Sequence, residues 1–278
     1  MLGAGIGLPY SNNFFSGLDN FSPEDLSDLA LWYDFSDLNA TGVNADTSHG
    51  GVIRGWPNKA ASDTTSQYDL VQGTNGLRPT VDLSTMYRPS ALFDNSDDLL
   101  ALANTYATTD ETFCFFVVFQ SAIDDADVFI AGDDNLNFIE IIGSAGTSIK
   151  TRFVGNTVGS NNNAVTVKID GTESTGTNGD INYTLTSGYE ILIVNRAANN
   201  EIKFYNKTGQ IMATGTSDST DSDTNFKVGG IGGRQAGNTL KGNIGEMGLY
   251  NAKLGDSGTG TDHVEMLAKY LSEKWKVV

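Results

Sequence analysis

The segment "RPSALFDNSDDLL", residues 88–100, places three carboxylates, Asp94, Asp97 and Asp98, around Asn95 and Ser96. Carboxylates this close can hold a hard cation, exchange a proton among themselves, or close a turn. Calcium takes six to eight oxygens from carboxylates, carbonyls and water. Asp94, Asp97 and Asp98 are therefore the candidate calcium ligands, because strands on either side would hold them rigid. A turn asks for less, since Asp and Asn bond their own neighbouring backbone and tolerate left-handed geometry. Two more acidic stretches raise the same question: "DDAD" at 124–127 with "DD" at 133–134, and "TSDSTDSDTN" at 216–225. None has EF-hand spacing. In the last, Asp218, Asp221 and Asp223 lack both the required Gly and the closing Glu.

Acid–base cleavage of a glycosidic bond needs paired carboxylates, about 5 Å apart when configuration is retained. The strand pattern E-x-D-x-x-E that would supply such a pair is absent. Glu140 in "FIEIIGS" and Glu246 in "GEMGLYN" each stand alone. Glu140 reads as an outward strand residue and Glu246 as a hydrogen-bonding residue on a closing strand. No G-x-S-x-G nucleophile elbow is present. With Cys114, His49 and His263 the only cysteine and histidines, a Cys/His metal site has too few ligands. Cys114 lies in "FCFFVVF" and reads as a buried small hydrophobe. "VGGIGGR" is not followed by the Lys-Ser/Thr of a phosphate loop, so its glycines read as a bend or bulge. No catalytic residue is expected, and no cofactor beyond calcium.

Exposed aromatic rings flanked by polar groups can stack on sugar faces. Tyr68, Tyr87 and Tyr106 fall in loop-like stretches and are the candidate glycan contacts. Most of the 14 Phe fall in strand runs, and Trp32, Trp56 and Trp275 read as packing residues. A formal net charge of −17 argues against nucleic acid and against an anionic membrane surface as partners.

The elements that must position these groups are mostly strands. Gly is abundant at 32 of 278 residues, and Asn, Ser, Thr and Asp are frequent, as in many short strands joined by turns. "FSPEDL" starts a short helix with Ser22 as N-cap and Pro23 at its first position. Leu29, Leu31, Tyr33 and Phe35 then alternate with other residues as a strand does. Further strands are expected at 90–93, 112–120, 127–132, 137–143, 148–154, 164–170, 189–196, 201–206, 210–215, 225–231 and 240–251. The runs at 112–120 and 189–196 are nearly continuous apolar sequence, which predicts central strands covered on both faces. "YNKTGQ" predicts a hairpin with Gly209 at positive φ. Val264, Leu267, Ala268, Leu271 and Trp275 form one apolar stripe on a terminal helix, which Asp262 and Glu265 cap. About a dozen strands with little helix predict an all-β, two-sheet antiparallel sandwich over residues 22–278.

Residues 1–21, "MLGAGIGLPYSNNFFSGLDNF", stand apart. Pro9 interrupts their short apolar run and no basic residue precedes it, so neither a leader nor a membrane span is expected. They read as an extended arm that costs ordering entropy unless it docks on another subunit.

In order along the chain, "LALWYDFSDL", "VIRGWPNKA", "RPSALFDNSDDLL", "FCFFVVFQS", "EILIVNRAANNEIKFYNKTGQIMATG" and "LKGNIGEMGLYNAKLGD" with "EMLAKYLSEKW" resemble concanavalin A-like (laminin-G-like) jelly-roll domains. The versions found in phage virion proteins are the nearest in character. The resemblance spans about residues 28–276 and implies a two-sheet jelly roll. It further implies a non-enzymatic virion protein, exposed on the particle as capsid decoration or as part of the tail or baseplate. Capsid or tail subunits would be its partners, and a homo-oligomer is expected. The arm would anchor it through Leu2, Ile6, Leu8, Phe14 and Phe15. Because many relatives of this family bind glycans, the alternative is a carbohydrate-binding module for host surface glycans. A glycan hydrolase is the third reading.

Overall fold

The segment Phe113–Ser121 is apolar at successive positions, which a strand tolerates only when both of its faces are covered. Phe113, Phe115, Val117 and Phe119 enter one hydrophobic core, and Cys114, Phe116 and Val118 enter another. The fold is built around this double coverage. It is a computed structural model that describes residues 21–36, 44–46, 48–63, 66–94, 96–108, 112–121, 127–132, 138–144, 148–154, 166–169, 172–175, 181–184, 190–198, 201–216, 227–232, 240–256 and 262–277. For the strands between 121 and 184, backbone alone is described.

Among these residues there are nineteen strands and one α-helix. The strands are β1 (Leu29–Asp34), β2 (Asn44–Ala45), β3 (Ile53–Trp56), β4 (Leu70–Val71), β5 (Thr80–Asp82), β6 (Ser90–Asp94), β7 (Leu100–Ala107), β8 (Phe113–Ser121), β9 (Asp127–Gly132), β10 (Phe138–Ser144), β11 (Ser148–Val154), β12 (Thr166–Ile169), β13 (Thr172–Thr175), β14 (Ile181–Thr184), β15 (Glu190–Arg196), β16 (Glu201–Tyr205), β17 (Ile211–Thr216), β18 (Lys227–Ile231) and β19 (Lys241–Tyr250). Helix α1 is His263–Trp275. One sheet runs β13-β12-β17-β16-β15-β8-β19-β6-β5, with β1 also paired to β19. The other runs β14-β11-β10-β9-β18-β7-β4-β3-β2, and every pairing in both is antiparallel.

The first core lies between the sheets and joins Tyr33, Phe35 and Phe93 of one to Ile53, Trp56, Leu70, Leu100 and Val228 of the other. The second lies between the outer face of the first sheet and α1, whose Val264, Leu267, Ala268, Leu271 and Trp275 are all buried as the stripe predicted. Asp262 caps α1, its side chain accepting from the Glu265 amide at 2.8 Å. The β16–β17 hairpin packs against this helix. Gly209 at its tip has φ +76°, and a Cβ there would come within 2.9 Å of the Glu265 Cα. Pro23–Asp25 form only a single 3₁₀ turn, shorter than the helix expected after Ser22. Strands β2, β3, β4, β5, β13 and β14 were not expected, and β7 runs on to Ala107 through a stretch read as loop-like.

A buried carboxylate ties α1 to the sheet. Gly245 marks an irregularity in the β19–β8 register, and next to it Glu246 faces the second core with no exposed surface. Its Oε1 accepts from the Trp32 indole at 2.8 Å and the Tyr270 hydroxyl at 3.3 Å. Its Oε2 accepts from the Trp275 indole at 2.8 Å and pairs with Lys274 Nζ at 2.7 Å. Lys274 also pairs with Asp34 at 3.0 Å, and Asp34 pairs with Lys59 at 3.1 Å. Burial pushes the Glu246 pKa up against the pull of Lys274. Burial also acts to raise that of Asp34, but Lys274, the bonds from Ser36 and Lys59 outweigh it and hold it below the ordinary value. The sequence reading of Glu246 as a hydrogen-bonding residue stands, and Trp32 and Trp275 add polar anchoring to their packing.

Without Glu246, Lys274 keeps Asp34, but the Trp32 and Trp275 indoles lose their acceptor, and each buried donor left unpaired costs about 1–3 kcal/mol. Glu246→Ala is therefore expected to lower unfolding free energy by about that amount for each indole in urea titrations. Glu246→Gln, which keeps an acceptor for one indole, should cost less.

Candidate functional site

Two of the three candidate tyrosines meet. Tyr68 and Tyr106 stand edge to face with ring centroids 5.0 Å apart and line one open cleft of about 330 Å³. Asp28, Leu29, Ala30, Ser62 and Asn251 complete the described lining.

The strand pairing explains why these residues converge. Leu29 lies opposite Tyr250, so Asp28 before β1 and Asn251 after β19 share one end of the sandwich. Asp28 has φ +68°, and its carbonyl accepts from the Asn251 amide at 2.8 Å. The loop that carries Ser62 and Tyr68 is bound to β1 through Asn58. The Asn58 side chain accepts from the Trp32 amide at 2.8 Å and donates to the Ala30 carbonyl at 3.1 Å, and its own amide donates to Asp69 at 2.9 Å. Ser62 Oγ donates to the Leu29 carbonyl at 3.1 Å. Tyr68 is fixed at both backbone ends: its amide donates to Asp63 at 3.1 Å, and its carbonyl accepts from the Tyr33 hydroxyl at 2.6 Å.

Tyr106 corrects one expectation. It is 9% exposed, because β7 turns inward again at Tyr106 after three exposed residues, and so it forms the floor of the cleft. Burial raises its pKa, partly offset by a hydrogen bond with the Asn251 side chain. Tyr68 is half-buried, and no described residue pairs with its hydroxyl. Tyr87 lies elsewhere, 60% exposed between Arg88 and Lys276 near the end of α1. Sequence reading missed Asp28, Ser62 and Asn251. The pairing of the first and last strands of the sheet was the signal that would have brought two of them together. A cleft with an aromatic wall and floor, amide and hydroxyl groups and an open mouth can take a polyhydroxylated ring.

The aspartate cluster is real but is first of all a turn. Asp94, Asp97 and Asp98 bring carboxylate oxygens within 4.8 Å of one another. Asp98 accepts from the Asp94 amide at 3.0 Å, and Asp94 accepts from the Ser96 amide at 2.8 Å. The remaining oxygens are hard donors of the kind calcium prefers. Burial raises the Asp98 pKa to about 7, with the Asp94 and Asp97 charges adding to it. Glu140 keeps its place on β10, opposite Arg152. Its side chain, the acidic stretches at 124–126, 133–134 and 217–225, and Leu2, Ile6, Leu8, Phe14 and Phe15 of the arm lie outside the described residues.

No family model matches the chain, and no curated protein matches it in sequence. Solved structures are similar at low identity. Domain 4 of AbnA, a GH43 extracellular arabinanase from Geobacillus stearothermophilus in complex with arabinotriose, has 15% identity and a TM-score of 0.49 over 87% of this chain and 98% of its own. The CBM40 of the Ruminococcus gnavus IT-sialidase, bound to α2,3-sialyllactose, has 12% identity and a TM-score of 0.37 over 54% and 82%. The receptor-binding domain of botulinum neurotoxin type G has 11% identity and a TM-score of 0.45 over 90% and 54%. At these values no ligand carries over to this chain.

The Asp98 value gives a pH test. A carboxyl whose folded pKa lies above that of the unfolded chain favours folding when protonated. Its contribution is full below about pH 4 and lost as pH rises through about 7. Asp98→Asn should match the parent near pH 4 and exceed it in stability by about 1–2 kcal/mol above pH 8. The same unfolding curves with millimolar calcium separate a cation site from a plain turn. Only a cation site raises the parent's midpoint, and only while Asp98 is present.

Proposed function

We propose that this domain is a non-catalytic carbohydrate-binding module whose sugar sits in the Tyr68–Tyr106 cleft. The observation that carries the reading is the convergence of these two rings with Ser62, Asn251 and Asp28 on one open cavity. The half-buried ring of Tyr68 offers the stacking surface, and its hydroxyl, which no described residue pairs with, together with the Ser62 and Asn251 groups offers partners for sugar hydroxyls. The non-catalytic part is supported by Glu246, whose carboxylate has no exposed surface and is bonded to Trp32 and Trp275, and by the absence of a paired-carboxylate strand pattern in the sequence.

Tyr68→Ala should weaken oligosaccharide binding at least about tenfold, as expected for the loss of one stacked ring and its hydroxyl contact. Tyr87→Ala should leave it unchanged. Glycan-array screening followed by titration reads both, with thermal unfolding to show that each variant is folded. Array binding that survives Tyr68→Ala would move the sugar to another surface.

A virion setting is compatible with this reading and rests on the arm, of which residues 1–20 lie outside the described residues. Phe21, the last residue of that arm, packs edge-on against Tyr270 at 5.8 Å, so the chain joins the sandwich on its helix side. An anchored arm would then present the domain outward as capsid decoration or as a tail or baseplate component. Deleting residues 1–20 is expected to abolish incorporation into particles while leaving sugar binding intact. Unchanged incorporation would remove the anchoring role.

A further inference from the structure

We propose that the cleft selects sugars without an acidic group, and that it prefers a protonated amino sugar to the N-acetylated form. This inference rests on the carbohydrate-binding reading and adds the chemical class of the ligand.

Among the described residues that line the cleft, the one charged side chain is a carboxylate. Asp28 is exposed at the mouth, its carbonyl fixed by Asn251, and no described residue pairs with its carboxylate. Two more carboxylates stand behind Tyr68. Asp63 accepts from the Tyr68 amide at 3.1 Å, and Asp69 accepts from the Asn58 amide at 2.9 Å. Among the described lining residues there is no Lys or Arg. Lys59, on the same loop, is turned to Asp34 at 3.1 Å. A chain of net charge −17 adds a background of the same sign. A carboxylate on a bound sugar would therefore meet Asp28 with no cation to offset it. At a partly solvated site one such like-charge pair weakens binding by roughly tenfold or more, and an ammonium group gains on the same scale.

The experiment compares matched oligosaccharides on the full chain by calorimetric or NMR titration in mildly acidic, low-salt buffer. Galactose oligomers are set against galacturonate oligomers of the same length, and glucosamine oligomers against N-acetylglucosamine oligomers. In each pair the less negative or more positive member should bind roughly tenfold more tightly. Asp28→Asn, which keeps a residue type tolerant of left-handed backbone, should narrow both gaps, and so should added salt. Equal affinities within the pairs, or gaps unchanged in Asp28→Asn, overturn the charge selection while leaving the carbohydrate reading in place. Binding by none of these sugars, together with an empty glycan array, takes down both.

Discussion

A carboxylate with no exposed surface can exist in a protein interior only if donors surround it. Glu246 has two indole N–H groups, a tyrosine hydroxyl and an ammonium group at its oxygens. Those donors come from β1 and from α1, so one side chain sets the position of a strand and a helix at once. The position of β1 then sets the end of the sandwich where Asp28, Ala30 and Asn251 meet. Apolar packing buries Val264, Leu267, Ala268, Leu271 and Trp275 of α1, but it is not directional. The directional bonds to Glu246 fix the register of the helix on the sheet.

Much of this was legible in the sequence because it is periodic. The stripe from Val264 to Trp275 marked the buried face of α1, and the unbroken apolar run around Cys114 marked a strand with two covered faces. Gly209 signalled its turn through the one residue type that accepts positive φ freely. The shortest strands were not legible. Leu70–Val71 and Thr80–Asp82 are too short to show a period, and Leu70–Val71 pairs with β7, past two intervening strands. Three exposed residues break the alternation of Leu100 and Leu102 before Tyr106, so a floor residue read as a loop residue.

The candidate site was legible in part for the same reason. Residue types alone selected Tyr68 and Tyr106, yet nothing local says that they face each other. Their meeting depends on the pairing of β4 with β7 and on the hold of Asn58 over its loop. Asp94, Asp97 and Asp98 were legible as a cluster because they are adjacent. Their hydrogen bonds show the turn that the Asp-Asn sequence favours.

The packing of Phe21 on Tyr270 has a mechanical meaning. Just after Phe21, the Tyr250 hydroxyl donates to the Pro23 carbonyl at 3.0 Å, so the incoming chain is pinned to the same face that α1 covers. Tension on the segment before Phe21 would reach the Tyr270 ring first and then the Glu246 donors. A tether pulling there would load the seat of the helix and, through Pro23 and Asp28, the β1–β19 end of the sandwich together.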